Sequence, residues 1–234
     1  MNFSLKAFTL LPLIDWLALV AFCVGWAGYA VFTKRRAHTH ASVLHTTNRF
    51  RRQWMLQTTY REVRVIDGVV IQNMATSPSF FASTTILIIG GLLAILGADR
   101  ANDLVREIPF AAKTSALVFE LKIVLMLVVF VYAFFRFTWS MRQYTFGSLL
   151  VASAPEAEQF ERLGLSREEF ADKAGRVLAL AAETFNDGVR AYYFSFAAIG
   201  WFFSPVVFLL STGIVVSVLY MREFRSEMLA VLNS

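Results

Sequence analysis

The apolar side chains of this sequence are concentrated in four long runs, which are separated by stretches of mixed polarity. Each run reaches about 18 residues, the length that a helix needs to cross the hydrocarbon core of a bilayer. Runs this long and this apolar are not typical of barrel strands. The pattern therefore predicts four transmembrane helices in a single all-α integral membrane domain over residues 1–234, with spans near 14–33, 79–98, 114–136 and 195–221.

The stretch between the first two spans has the three-and-four spacing of an amphipathic helix. Its apolar stripe includes Leu56 and Val63, and Asp67 falls on the same stripe. We predict a helical segment over residues 43–76. Pro78 is expected to end this helix or to bend it into the second span, because proline interrupts the hydrogen-bond ladder.

A second amphipathic segment is predicted over residues 166–194, in front of the fourth span. Ser166 and Glu169 have the spacing of a capping box, which marks the amino terminus of a helix. From Tyr192 onward the pattern is apolar on all sides, and the run is longer than a bilayer requires. Two alternatives follow: Pro205 breaks the helix, or the part up to Trp201 lies at the interface or against protein.

Composition supports a membrane protein, since 57% of the residues are hydrophobic, only 17% are charged and the mean hydropathy is +0.55. Cys23 is the single cysteine, which excludes a disulfide framework and a thiolate metal site. Basic residues cluster after the first span, and positive charge near span ends stays in the cytoplasm. We therefore expect both amphipathic segments in the cytoplasm and both termini outside. The cluster consists of Lys34, Arg35, Arg36, Arg49, Arg51, Arg52, Arg61 and Arg64.

The first candidate site is a group of charged residues at the predicted outer level of the spans, formed by Asp15, Asp99, Glu120 and Lys122. Ionisable residues inside a membrane are expensive, so they suggest function. This group would guard an entrance for ions. The alternative is that Lys122 extends to the interface and that Glu120 makes one pair that fixes helix packing.

A second candidate surface surrounds the first amphipathic stripe. Its basic side chains would bind anionic lipid headgroups or a protein partner, or they would simply form a solvated helix face near the membrane. Nothing in the sequence indicates nucleic-acid binding. The candidate residues are Arg49, Arg51, Arg52, Trp54, Arg61 and Arg64.

A third candidate group lies at the predicted inner ends of spans three and four. A pair between an aspartate and an arginine would hold these helices together or form an inner gate, and the packing role is the simpler one. The group comprises Arg136, Arg142, Asn186, Asp187 and Arg190.

Hydroxyl residues in the spans leave two further alternatives open. Thr84 and Thr85 in span two, and Ser211 and Thr212 in span four, would line a hydrated path or bond to the carbonyls of their own helix. The sequence carries no nucleophile elbow, phosphate loop or dinucleotide fingerprint, and its histidines have no converging ligands. We therefore expect no enzyme activity, no cofactor and no metal.

The chain resembles the domain-of-unknown-function 599 family of bacterial and plant membrane proteins. The most specific part of the resemblance is Arg190-Ala191-Tyr192-Tyr193-Phe194-Ser195-Phe196, within a longer match that begins at Phe185 and continues to Trp201 and Pro205. Further matches are Arg51 and Trp54, Gln72-Asn73-Met74, Ala82-Ser83-Thr84-Thr85 and Ser140-Met141-Arg142. The resemblance implies a four-span membrane protein, here of a bacterial cytoplasmic membrane, and carries no activity.

Two functions compete on these observations. The first is a homo-oligomeric ion channel or transporter-like permeation protein that uses the outer charged group. The second is a non-enzymatic accessory or scaffold subunit that binds lipid or a protein partner through its basic helix. The intramembrane charges place the first slightly ahead.

Overall fold

The computed structural model describes residues 11–36, 42–98 and 115–233. These residues are helical, with no strand in the described ranges, so the predicted all-α fold is confirmed. A 3₁₀ turn over Gly200–Phe202 lies between the helix that ends at Ile199 and the one that begins at Pro205. The helices are α1 (Leu13–Arg36), α2 (Val43–Thr58), α3 (Val65–Leu96), α4 (Ala116–Ala152), α5 (Ala157–Arg162), α6 (Arg167–Ile199), α7 (Pro205–Phe224) and α8 (Glu227–Asn233).

Four helical stretches are long and apolar enough to cross a membrane: Leu13–Thr33, Val65–Leu96, Ala116–Ala152 and Pro205–Leu232. The first three contain the predicted spans to within two residues at their ends. With 32 residues, α3 is about 48 Å long, and α4 with 37 residues is about 55 Å long. Both lengths exceed the roughly 30 Å of a hydrocarbon core.

The prediction of one helix over residues 43–76 is wrong, because the chain forms two helices there. Helix α2 ends at Thr58, and Tyr60 and Arg61 close turns by donating backbone hydrogen bonds to Gln57 and Thr58. Helix α3 then begins at Val65 and continues without a break past Pro78. A proline inside a membrane helix is tolerated where neighbouring groups compensate the lost hydrogen bond.

The second amphipathic helix is confirmed, and its capping residue is the predicted one. The backbone N–H of Glu169 donates to Ser166 Oγ at 3.1 Å. The predicted fourth span over 195–221 is wrong in its bounds, because α6 ends at Ile199 and α7 begins at Pro205. Ser204 caps α7 by accepting the N–H of Val207 at 3.1 Å. Proline suits the first helical position, where its missing N–H has no intrahelical partner anyway.

The chain folds into two compact units. In the described part, unit 1 contains five helical segments, which come from α1, α3, α4, α6 and α7. Their ranges are 13–36, 85–96, 116–133, 189–199 and 205–222.

The segment 189–199 of α6 is the central one in unit 1, and Ala191 and Phe194 within it are fully buried. The Trp26 ring of α1 stacks on Phe194 with centroids 5.8 Å apart. The Tyr192 hydroxyl lies 2.8 Å from the Thr85 hydroxyl of α3, and its ring meets Phe130 of α4 edge to face at 5.2 Å. Side chains of α1, α3 and α4 thus contact one side of this segment, while Phe196 and Ile199 on it are exposed.

Helix α7 returns tightly against the end of α6. Ser211 Oγ of α7 donates to the Ala197 carbonyl at 3.0 Å, and the Trp201 ring stacks on Phe208 at 5.3 Å. A Cβ on Gly200 would lie only 2.7 Å from Ser211 Oγ. Only glycine therefore permits this approach of the two backbones.

Unit 2 is formed in the described part by residues 42–84, 134–188 and 223–233. Its core joins α2, the first turns of α3, the last turns of α4 and the first half of α6. Close approach depends on small residues of α6 and α4, since a Cβ on Gly175 would lie 2.9 Å from Arg52 Cα and one on Gly147 would lie 2.5 Å from Leu178. The buried core residues are Met55, Ile71, Tyr144, Val151, Ala171, Ala174, Leu178 and Ala181.

The carboxy-terminal helix also belongs to unit 2. Helix α8 packs on α2, and the Leu44 N–H donates to the Glu223 carboxylate at 3.2 Å. The expected orientation, with both termini outside, stays a prediction. It treats the fourth apolar run as a single crossing, whereas α6 and α7 form a hairpin.

Candidate functional site

The structure brings together two of the four charged residues predicted as an outer cluster. Asp15 at the start of α1 and Lys122 in α4 are both buried within unit 1, with 7% and 3% of their surfaces exposed. Their charges attract each other. Asp15 Oδ1 accepts the indole N–H of Trp201 at 2.6 Å, and the Lys122 ammonium lies 5.7 Å from the ring centroids of Trp201 and Phe202.

Of the other two members of that cluster, the structure describes only Glu120, which does not join it. Glu120 is exposed, because it lies two positions from Lys122 and so faces another side of α4. Asp99 lies outside the described residues. The sequence does not identify Trp201 as a site residue, because a tryptophan near the end of a span is equally typical of the membrane interface. No local pattern joins residues separated by 186 positions, so nothing in the sequence links Trp201 to Asp15.

The predicted basic surface is divided by the fold, and several of its members hold unit 2 together. Trp54 Nε1 donates to the fully buried Asp67 carboxylate at 2.7 Å, and Arg61 forms an ion pair with the same carboxylate. Arg64 donates to the carbonyls of Ala154 and Pro155 at the end of α4. These contacts connect the turn between α2 and α3 to other elements of unit 2.

Arg51 is also used internally. Its guanidinium donates to Thr47 Oγ1 at 3.0 Å and to Asn48 Oδ1 at 2.7 Å, and Asn48 in turn donates to Glu183. Burial lowers the pKa of Arg51, while the charges of Tyr144 and Glu183 act in the opposite direction. Of the predicted arginines, Arg49, Arg52 and Arg61 are exposed, and Arg61 is engaged by the buried Asp67 carboxylate.

In the third predicted group, Arg136 and Asp187 form an ion pair within unit 2. The buried carboxylate gains a charge-assisted partner, so the predicted pairing is present. Arg142 is exposed and Asn186 is half-buried. Arg190, which belongs to unit 1, is buried with its guanidinium 5.7 Å from the Tyr29 ring centroid.

Most hydroxyls in the spans bond to carbonyls of their own helix rather than standing free. Thr84 donates to Phe80, Thr212 to Phe208 and Ser217 to Gly213, each four residues earlier in its helix. Thr85 is different, since its partner is the Tyr192 hydroxyl. The own-helix alternative holds for these three hydroxyls. Among the described residues, the charged side chains buried in unit 1 are those of Asp15, Lys122 and Arg190.

Comparison with known proteins identifies the family but no activity. No curated protein and no solved structure matches the chain. A family model described as a protein of unknown function, DUF599, matches residues 17–228, which is nearly the whole chain. That range includes Lys122 and Trp201 of the buried Asp15–Trp201–Lys122 group. It also includes helix α2, which carries Arg49 and Arg52. The chain is a member of the DUF599 family.

Proposed function

We propose that this protein lets a small cation cross a membrane, with the buried Asp15–Trp201–Lys122 group as its ion-responsive element. The observation that carries the proposal is the burial of an aspartate and a lysine together in the unit that contains the apolar helices. Opposite charges buried in a membrane domain are costly to retain for packing alone, and they commonly mark ion or proton pathways.

The arrangement gives each residue a distinct role in the proposal. Asp15 supplies a carboxylate that a proton or another small cation can bind. Trp201 holds one oxygen of that carboxylate by its indole N–H at 2.6 Å, which fixes its position. Lys122 is the resident countercharge, and a cation arriving at Asp15 would weaken its attraction to the carboxylate. Binding and release of the cation would thus change the attraction between Asp15 and Lys122.

The five helical segments of unit 1 support a topology of five crossings. An odd number places the termini on opposite sides, which agrees with the contact between α8 and α2. The positive charge after α1 favours the cytoplasm for the connections of unit 2. In this proposal the amino terminus lies outside and the carboxyl terminus lies inside, in a cytoplasmic membrane. Assembly of several copies, expected from the sequence, stays a prediction.

Proteoliposome flux tests the proposal. Purified protein is reconstituted at a defined protein-to-lipid ratio, and an imposed pH or potassium gradient is followed with an entrapped fluorescent indicator. Asp15→Asn and Lys122→Gln should each lower the flux at least tenfold. Glu120→Gln is the matched control, because this carboxylate is on the same helix as Lys122 but exposed, and it should retain the wild-type flux. Folded, inserted wild-type protein without flux above empty liposomes would overturn the proposal.

A further inference from the structure

One face of α2 forms the wall of a cavity in unit 2. Arg49, Arg52, Gln53 and Leu56 have the i, i+3, i+4, i+7 spacing that places side chains on the same side of a helix. Across from them, the first turns of α6 contribute the remaining wall. The cavity has a volume of about 210 Å³ and is lined by Arg49, Arg52, Gln53, Leu56, Glu168 and Ala171.

The cavity exists because α2 and α6 approach closely at one point. At Gly175 the helices are so near that an added Cβ would lie 2.9 Å from Arg52 Cα. One turn earlier Ala171 presents only a methyl group, so the larger side chains of α2 are not met by equally large ones. The space that remains is open to solvent on the side of the exposed Arg49 and Gln53.

The donors of this cavity are largely unused by the protein. Within the described ranges, Arg49 has no carboxylate partner, and its guanidinium lies 5.7 Å from the ring centroid of the adjacent Phe50. The Gln53 carboxamide has no hydrogen-bond partner there either. Arg52 pairs with Asp172 through Nε, but both side chains are about half exposed, at 59% and 49%. Such exposed pairs contribute little and are easily exchanged.

We infer that this cavity binds a phosphate group carried by a small organic molecule or by a lipid. Two guanidinium groups one helical turn apart can grip phosphate oxygens, since the planar fork of arginine matches phosphate geometry. Gln53 adds an amide donor, and Leu56 with Ala171 offers an apolar wall to the carbon skeleton of the ligand. Glu168 is the one carboxylate of the lining, and it accepts the Ser166 hydroxyl at 3.3 Å.

This inference does not depend on ion permeation, since all of the lining belongs to unit 2. Arg49 has no carboxylate partner among the described residues and Arg52 has an exposed one, whereas Arg61 pairs with the buried Asp67 and Arg64 donates to backbone carbonyls. The shared chemistry of the ligand is a phosphate ester with a short carbon chain. A phospholipid headgroup and a free phosphorylated compound both fit that description, so the experiment contains one arm for each.

Full-length protein in phosphatidylcholine nanodiscs is titrated with glycerol 3-phosphate by calorimetry, which tests the free compound. In the lipid arm, protein from mixed phosphatidylglycerol and phosphatidylcholine liposomes is examined by native mass spectrometry for retained phosphatidylglycerol. The double variant Arg49→Gln/Arg52→Gln should weaken binding about 100-fold in the arm that shows it, since two charge-assisted contacts are lost. Arg162→Gln/Arg176→Gln removes the same charge from exposed positions of unit 2 and should bind as wild type.

Gln53→Trp provides a second variant that keeps both arginines but fills the mouth of the cavity. It should also abolish binding, which covers the case in which the double variant fails to fold. Binding of glycerol 3-phosphate assigns a free phosphorylated ligand, and retention of phosphatidylglycerol alone assigns a lipid. The inference is overturned by no binding in either arm, or by binding that neither the double variant nor Gln53→Trp reduces relative to the control.

Discussion

The Asp67 carboxylate holds the turn between α2 and α3 together, and its removal should lower the stability of the protein. It accepts hydrogen bonds from Trp54 Nε1 at 2.7 Å and from Thr58 Oγ1 at 3.2 Å, and it pairs with Arg61. Asp67 itself has 0% exposure. These contacts join the end of α2 to the start of α3 across the turn.

The magnitude follows from what each donor would lose in Asp67→Ala. Thr58 keeps its second bond to the Trp54 carbonyl at 3.0 Å, and Arg61 has 44% of its side chain exposed, so it can turn to water. The main loss is the bond from Trp54 to a charged acceptor, roughly 1.5–3 kcal/mol. The ion pair with the exposed Arg61 adds about 1 kcal/mol, so we expect Asp67→Ala to lower the free energy of unfolding by roughly 2–4 kcal/mol.

Thermal unfolding in detergent, followed by circular dichroism at 222 nm, measures this loss. The expected cost corresponds to a fall in Tm of roughly 5–15 °C for a chain of this size. Asp67→Asn keeps an acceptor for Trp54, so its Tm should lie between those of the wild type and Asp67→Ala. The matched control is Glu62→Ala, which removes an exposed carboxylate from the same turn and should change Tm little. Equal Tm values for Asp67→Ala and Glu62→Ala would refute the assigned role.

Two further predictions concern packing and topology. Gly188→Ala places a Cβ 2.5 Å from the Phe137 ring and should destabilise unit 2 by about 1–3 kcal/mol, whereas Gly213→Ala, with nothing within 4 Å, should be neutral or slightly stabilising. Thermal unfolding compares the two variants, and equal changes in Tm would contradict the predicted overlap between the added Cβ at position 188 and the Phe137 ring. In a Cys23→Ser background, the single substitutions Glu62→Cys and Met228→Cys should react with a membrane-impermeant maleimide from the same side of the membrane. Asn2→Cys should react from the opposite side. Labelling of position 228 together with position 2 would contradict five crossings.

Local patterns predict those parts of the fold that depend on local physics. The apolar runs indicate three of the four spans closely, and Ser166 marks the start of α6, because run length and capping are encoded over a few neighbouring residues. The turn after Thr58 escapes such patterns, since the stripe through Leu56 and Val63 is continuous in periodicity. The contacts that Asp67 makes with Trp54 and Thr58 across this turn depend on the tertiary fold, and no local pattern encodes them.

The candidate site is predictable only in part, for a related reason. Asp15 and Lys122 stand out because charge is rare in apolar runs, and the structure brings both into unit 1. Their shared neighbour Trp201 is distant in sequence, and aromatic residues near span ends have a common alternative role at the interface. The arginines of α2 look equivalent in the sequence, and only their partners in the fold separate Arg49 and Arg52 from the rest.

The hairpin of α6 and α7 has a consequence for biogenesis. The segment 189–199 contains Arg190 and two tyrosines, so it is a poor substrate for insertion into the bilayer by itself. Its polar side chains contact other elements of unit 1: Arg190 lies near the Tyr29 ring of α1, the Tyr192 hydroxyl bonds to Thr85 of α3, and the Tyr193 hydroxyl accepts from Arg222 of α7. If the five-crossing topology proposed above holds, α6 and α7 would therefore enter the membrane as a pair. Truncation before Pro205 should leave a chain that inserts but cannot complete its bundle.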